Sequence, residues 1–313
     1  MKKSLVFFSS EKGAVTILIA CMMTVLIGFC ALVTDVGLVF FNRAKMINAM
    51  DSAVLAGVQE LPDQESALNI AEAYAQNNGL LTTEYSFQVS EENKTISGNA
   101  NREVSLLFAK ALGYASRSLT VAAKAKIAPV SAVRGAVPFG VLENDFSIGQ
   151  EVVLKEGTSN NLYPGWFGAL RLGGSGADIY RDNIMYGYPE EIVIDDVAGI
   201  EVDLESGNMS GPTMEGINNR IDQCNHVPPC TINSYVEGCS RILIVPIINI
   251  EATNPAGRPS DVRIIGFAAF FVEEYIGSGV NNEVRGRFIN YVIPGKTHEG
   301  IGDFGLYTAE LCE

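Results

Sequence analysis

Few residues in this chain are suited to chemistry. Beyond a long apolar N-terminus lie four cysteines, Cys224, Cys230, Cys239 and Cys312, and the chain's two histidines are His226 and His298. An even set of cysteines outside the apolar run is the signature of disulfides in an oxidising compartment, and four cysteines allow three pairings. Two disulfides are expected, with Cys312 tying the C-terminal tail to the other three. The other chemistry open to these residues is a metal site using Cys224, His226 and Cys230. Their Cys-x-His-x-x-x-Cys spacing lacks the paired Cys-x-x-Cys knuckle of zinc modules, so His226 reads as a loop residue. Cys21 and Cys30 fall inside the apolar run, where a thiol behaves as a small apolar side chain.

Enzyme chemistry lacks its signatures. The sequence contains no Gly-x-Ser-x-Gly, no His-Glu-x-x-His and no Gly-x-x-x-x-Gly-Lys. Gly173-Gly174-Ser175-Gly176 is followed by no lysine and reads as a hairpin turn. The acidic pairs Glu190-Glu191 and Asp195-Asp196 lack calcium-loop spacing, and neighbours on a strand point to opposite faces, so they read as solvated surface. A net charge of −14 opposes nucleic-acid binding, which needs concentrated lysine and arginine. The expectation is a protein that is not an enzyme, takes no cofactor and binds no nucleic acid.

The elements that position these residues begin with the apolar run. Residues 14–34 carry no charge over 21 residues, and as a helix they span roughly 32 Å, enough to cross a bilayer core of about 30 Å once. A secretory signal would be shorter and end in a small-x-small site. Leu18-Ile19-Ala20-Cys21 resembles a lipobox, but the uncharged run continues well past Cys21. A retained transmembrane helix is therefore expected. Lys2, Lys3 and Lys12 against Glu11 give residues 1–13 a net +2 and leave −16 for the remainder, which places the N-terminus in the cytoplasm and the bulk of the chain outside. Thr16, Ala20, Thr24 and Gly28 recur every four residues, a small-residue face on which a second membrane helix could pack.

The helical pattern continues past the membrane, since the first proline is Pro62. Val36, Phe40, Ala44, Ile47, Met50, Val54 and Val58 advance by three or four and predict the buried face of a stem. After Leu61-Pro62-Asp63, with Asp63 as N-cap, a second helix is expected to end at Asn77-Asn78-Gly79. Strands at 85–89, 95–100 and 118–127 and a short helix at 104–112 complete a membrane-proximal α+β domain, 35–130, and 129–138 reads as a linker. Residues 139–313 hold short β-rich runs and one helix near 213–223, predicting a mostly antiparallel β-rich domain. The fold class is thus α+β, in the order cytoplasmic segment 1–13, span 14–34, stem and α+β domain, extracytoplasmic β-rich domain.

The order Glu11-x-Gly13-Ala14, apolar span, Asp35-Val36-Gly37, then Asn48-Ala49-Met50-Asp51-Ser52-Ala53-Val54-Leu55-Ala56-Gly57 resembles the N-terminal region of TadG-like proteins of the Tad (Flp) pilus-assembly system. The resemblance covers about residues 11–60, with Glu11, Gly13, Asp35, Gly37, Asp51 and Gly57 as its motif positions. The segments 161–188 and 207–221 also look like stretches that recur in Gram-positive relatives. In two respects the chain departs from the family pattern: the 49–55 stretch is less alanine-rich, and no Asp-x-Ser-x-Ser adhesion motif occurs. Pilins of the system are cut after a glycine and keep a glutamate five residues on; here that position is Leu18, which implies an uncut protein. The resemblance implies a membrane-anchored, non-catalytic envelope component of the pilus-assembly or secretion apparatus, with pilus-assembly membrane proteins or pseudopilins as partners. The alternatives are a membrane-tethered envelope hydrolase and an anchored adhesin or ligand-binding module.

Overall fold

A computed structural model describes residues 11–90, 92–156, 167–279 and 281–312. The protein is α+β and divides into two compact units, residues 1–125 with 311–313 and residues 126–310.

The first unit is built on helix α1, Glu11–Val58, whose 48 residues run unbroken for roughly 72 Å. It is followed by α2, Gln64–Asn77, with Asp63 as the expected N-cap accepting a hydrogen bond from the Ser66 N–H at 3.1 Å. The α2 helix ends where Asn77-Asn78-Gly79 predicts, and Gly79 has φ +85°. Strands β1, Tyr85–Val89, and β2, Thr95–Ser105, form an antiparallel pair, and β2 neighbours the long β3, Ser116–Val133. The short helix expected at 104–112 is only a 3₁₀ turn, Ala109–Leu112, because β2 carries on through Ser105.

The stem does not bury the face predicted for it. Met50, Val54 and Val58 are buried as expected, but Val36, Phe40, Ala44 and Ile47 are exposed. The stripe turned inward is Asp35, Leu38, Val39, Asn42, Met46, Ala49, Ala53 and Gly57. Apolarity alone does not separate exposed from core-facing positions on this helix, and Asp35 and Asn42 are admitted because their polar groups are satisfied. Asn42 donates to the Leu38 carbonyl oxygen at 2.8 Å, and the partners of Asp35 are described below.

In the second unit, no linker occupies 129–138. Strand β3 runs through to Val133, and Val130, Ala132, Val133, Ala136 and Val137 are buried. The remaining elements are β4, Val141–Leu142; β5, Glu151–Glu156; α3, Ala177–Tyr186; β6, Ile192–Val193; β7, Ile200–Glu201; α4, Ser210–Asp222; β8, Ile242–Thr253; β9, Pro259–Ser278; β10, Asn281–Ile289; β11, Tyr291–Val292; β12, Lys296–Thr297; and β13, Leu306–Cys312. The central sheet has the order β4-β8-β9-β10-β5, with β7 also on β9, and is antiparallel except where β4 joins β8. Within β9, Phe267, Ala269 and Phe271 enter one core cluster while Ala268, Phe270 and Val272 enter another, so both faces of the sheet are buried. That is why these strands read as continuous apolar runs rather than alternating ones.

Helices α3 and α4 supply Tyr180, Ile184 and Ile217 to the second cluster. Val130 and Val133 of β3, with Ile192 of β6 and Leu306 of β13, line the first. Gly173-Gly174-Ser175-Gly176 leads into α3 instead of turning a hairpin, so this unit holds two helices where one was expected.

Two predictions follow from this packing. A Cβ added at Gly57 would sit 2.6 Å from the Ala67 carbonyl oxygen and 2.9 Å from the Ala71 Cβ, because the all-alanine buried face of α2 draws the helices together. The obstacle is backbone, so Gly57→Ala should destabilise the first unit by about 1–3 kcal/mol, read as a lowered denaturant midpoint. Lys155 on β5 is 2% exposed, donates to the Asn208 carbonyl oxygen, and reaches the side-chain oxygens of Asn208 at 3.1 Å and Asn282 at 3.4 Å. No carboxylate among the described residues pairs with it, and burial lowers its pKa from 10.5 to about 8. Between those values the unfolded chain binds more protons, so stability should rise with pH through that window, by up to about 3 kcal/mol. Comparing urea unfolding of wild type and Lys155→Met at pH 7.5 and 10 isolates this contribution; equal pH slopes would contradict it.

Candidate functional site

The uncharged apolar run and the stem share one helix, and their junction carries a specific contact of the first unit. Asp35 follows the uncharged span directly and is 5% exposed. Its carboxylate faces the loop between β2 and the 3₁₀ turn. Oδ1 accepts from the Leu107 N–H at 2.7 Å, and Oδ2 accepts from Phe108 at 3.0 Å and Ala109 at 2.7 Å. The opening N–H groups of a helical turn have no partner within the turn, so the aspartate caps this one from more than seventy residues away in sequence. A carboxylate buried at a helix surface would be costly unpaired, and three backbone donors offset that cost.

The clasp also fixes what the loop presents. Leu107, Phe108, Leu112 and Tyr114 are all exposed, and they project from a loop fastened to the first residue after the uncharged span. Val36, Phe40 and Phe41 are exposed on the helix beside it. A soluble surface seldom gathers so many large apolar side chains.

The other family-motif positions have separate explanations. Gly57 permits the close approach of α2, and Asp51 is half-buried on the stem. Gly37 is exposed with nothing within 4 Å of an added Cβ, so nothing in its surroundings requires a glycine. Glu11, Lys12 and Gly13 open α1, and residues 1–10, with Lys2 and Lys3 of the three lysines that set the expected orientation, lie outside the described residues.

Among the described residues α1 is the one helix long and apolar enough to cross a membrane. Thr16, Ala20, Thr24 and Gly28 are exposed along it, and a Cβ added at Gly28 meets nothing within 4 Å. The Thr24 hydroxyl donates to the Ala20 carbonyl oxygen at 2.9 Å. That hydroxyl is already satisfied within its own helix, so the stripe offers close packing more than hydrogen bonds.

The cysteines are arranged differently from the two-disulfide expectation. All six are free thiols, and Cys312, half-buried at the end of β13, groups with the first unit. Cys224, Cys230 and Cys239 meet in the second unit, joined by His226. The Cys224 and Cys239 sulfurs are 3.5 Å apart, against about 2.05 Å for a disulfide. His226 Nδ1 lies 3.2 Å from the Cys230 sulfur and 3.6 Å from that of Cys224, so the residue read as a loop histidine belongs to the cluster. Burial opposes ionisation of Cys224, but hydrogen bonds from His226, the Cys230 backbone and the neighbouring thiols outweigh it and hold its pKa below the usual thiol range. Burial pushes Cys239 the other way. His298 stands apart and exposed, its Nδ1 2.8 Å from the Glu299 carbonyl oxygen.

Replacing Asp35 with asparagine removes one acceptor oxygen and the charge while preserving shape. Amide exchange at residues 107–109 should then accelerate more than tenfold in membrane-embedded protein, with the α1–α2 hairpin unchanged; exchange as slow as in wild type would show that the clasp does not hold the loop.

No curated protein and no solved structure matches the chain. The family model "Tad: Putative Flp pilus-assembly TadE/G-like" matches residues 13–60, a segment that begins at the head of α1, includes Asp35, and ends just past Gly57 and the close packing of α2. Residues 13–60 of the chain are therefore similar to the TadE/G-like family of the Tad (Flp) pilus-assembly system.

Proposed function

We propose that the protein is a membrane-anchored, non-catalytic envelope component of the Tad/Flp pilus-assembly or secretion apparatus, spanning the membrane once with its N-terminus in the cytoplasm and both units outside. The observation that carries this reading is the coincidence of the family segment with a continuous helix, fully exposed over its apolar part and built into a folded unit beyond Asp35. In this arrangement the exposed side chains Leu107, Phe108, Leu112 and Tyr114 rest in the outer interfacial layer, where tyrosine and large apolar groups are favoured, and seat the first unit on the membrane.

The partners are pilus-assembly membrane proteins or pseudopilins, which pack on the Thr16, Ala20, Thr24 and Gly28 stripe. In lipid, apolar helices gain little from burial alone, so closeness of backbones decides association. Leucines at positions 20 and 28 would hold a partner helix away while keeping the span apolar and uncharged. The double variant Ala20→Leu with Gly28→Leu should insert normally, recover several-fold less of its membrane partners on affinity purification, and lower the number of Tad pili per cell. Full recovery of partners and full piliation at wild-type protein levels would refute the contact, and a deletion strain with normal pili would refute the function.

A further inference from the structure

The segment between α4 and β8, residues 223–241, runs for 19 residues with no regular element except the bridge Thr231↔Ser234. Loops of that length inside a compact unit are uncommon and need something to hold them. This one turns inward: Cys230 is 5% exposed and Cys239 3% exposed, and both belong to the core cluster on one face of the central sheet. Tyr235 packs beside Phe271 and Tyr291, and the Gly238 N–H donates to the Tyr291 hydroxyl at 2.8 Å.

At its heart, one ligand atom from each of Cys224, His226, Cys230 and Cys239 lies within 4.8 Å of all the others. A tetrahedral zinc with Zn–S near 2.3 Å and Zn–N near 2.0 Å requires sulfur–sulfur separations of about 3.8 Å and sulfur–nitrogen separations of about 3.5 Å. Three of the six pairs here are 3.5, 3.2 and 3.6 Å apart. We propose that Cys224, His226 through Nδ1, Cys230 and Cys239 form a structural Cys₃His zinc site that pins the 223–241 loop to the core of the second unit.

The donor set argues for zinc over the alternatives. Three thiolates and one imidazole make a closed four-coordinate set with no position left for water or substrate, as in structural rather than catalytic zinc sites. A disulfide between Cys224 and Cys239 would leave Cys230 and His226 facing each other without a role. A nucleophilic cysteine would need an open approach to one sulfur, whereas Cys230 and Cys239 are buried and the sulfur of half-buried Cys224 lies 3.5 Å from that of Cys239 and 3.6 Å from His226 Nδ1. On binding, the thiols release their protons to solvent and the three thiolates with neutral imidazole leave a net −1 on Zn²⁺, so uptake is favoured as pH rises. The site is independent of the pilus reading, since every ligand lies outside residues 13–60.

The test uses the full chain in detergent, purified with reductant and loaded with zinc alone. Mass spectrometry of the native protein and elemental analysis should find one zinc per chain. Cobalt exchanged into the site should give the intense visible bands and thiolate charge transfer of a tetrahedral Cys₃His centre. Cys230→Ser and His226→Ala should each lose at least about tenfold in zinc affinity, while His226→Cys retains the metal and His298→Ala changes nothing. Chelation should lower the melting transition of the wild type, which keeps the test decisive even where a ligand variant fails to fold. Zinc absent after loading, an octahedral cobalt spectrum, or a Cys224–Cys239 disulfide in a parallel preparation isolated without reductant would overturn the proposal.

Discussion

The first charge after 21 uncharged residues is a carboxylate whose oxygens are taken by three backbone amides of another segment. Much of the first unit depends on that exchange. A helix leaving a bilayer is apolar on every side, whereas a helix entering a folded unit must present one stripe to a core. Asp35 stands where the uncharged, exposed run of α1 ends and its core-facing stripe begins. Because it bonds to backbone rather than to another side chain, the contact imposes no residue type on 107–109 and leaves those side chains free to face outward. The long β2–β3 connection is thereby fixed to the top of the span at a single point.

From there inward, small residues govern the packing. Ala67, Ala71 and Ala75 are the buried face of α2, and Gly57 lies opposite them on α1. A pair of helices drawn this close leaves little space for adjustment, so the alanines and the glycine act as one feature. Met46 and Met50, fully buried beneath β2, fill the irregular gap on the sheet side, where an unbranched side chain adapts best. The α1–α2 hairpin therefore carries the apolar helix directly into the packed core of the first unit.

How much of this could be read from the sequence depended on whether a residue's surroundings were local. The unbroken helix, the Asp63 cap, the end of α2 and the helix near 213–223 follow from spacing and capping chemistry within a few residues, and they were legible. The stem's buried face was not, because Val36 and Phe40 satisfy the same apolar pattern as Met50 and Val54, and the burial of Asp35 depends on donors more than seventy positions away. Helix α3 was hidden by the glycines before it: Gly176, its N-cap at φ +119°, reads equally as a turn residue. The linker expected at 129–138 failed for a related reason. Pro129 and Pro138 punctuate the sequence, yet the prolines leave β3 intact, since the residues between them are held by the core around Val130 and Val133.

The cysteines show most clearly where counting ends and geometry begins. Four cysteines outside the apolar run invite pairing by parity, but parity presumes that all four sulfurs come within reach of each other. Cys312 closes the last strand and groups with the first unit, which leaves three sulfurs in the second, an odd number for disulfides. Three thiols and an imidazole, gathered by a loop too long to order itself, form a complete donor set for one soft tetrahedral ion. The spacing Cys-x-His-x-x-x-Cys understated this because the fourth ligand, Cys239, arrives from the far end of the loop at the mouth of β8, where the turn from Val236 to Ile242 carries it into the core. A metal site assembled across 16 residues of irregular chain has no compact sequence signature, and the fold supplies what the spacing lacks.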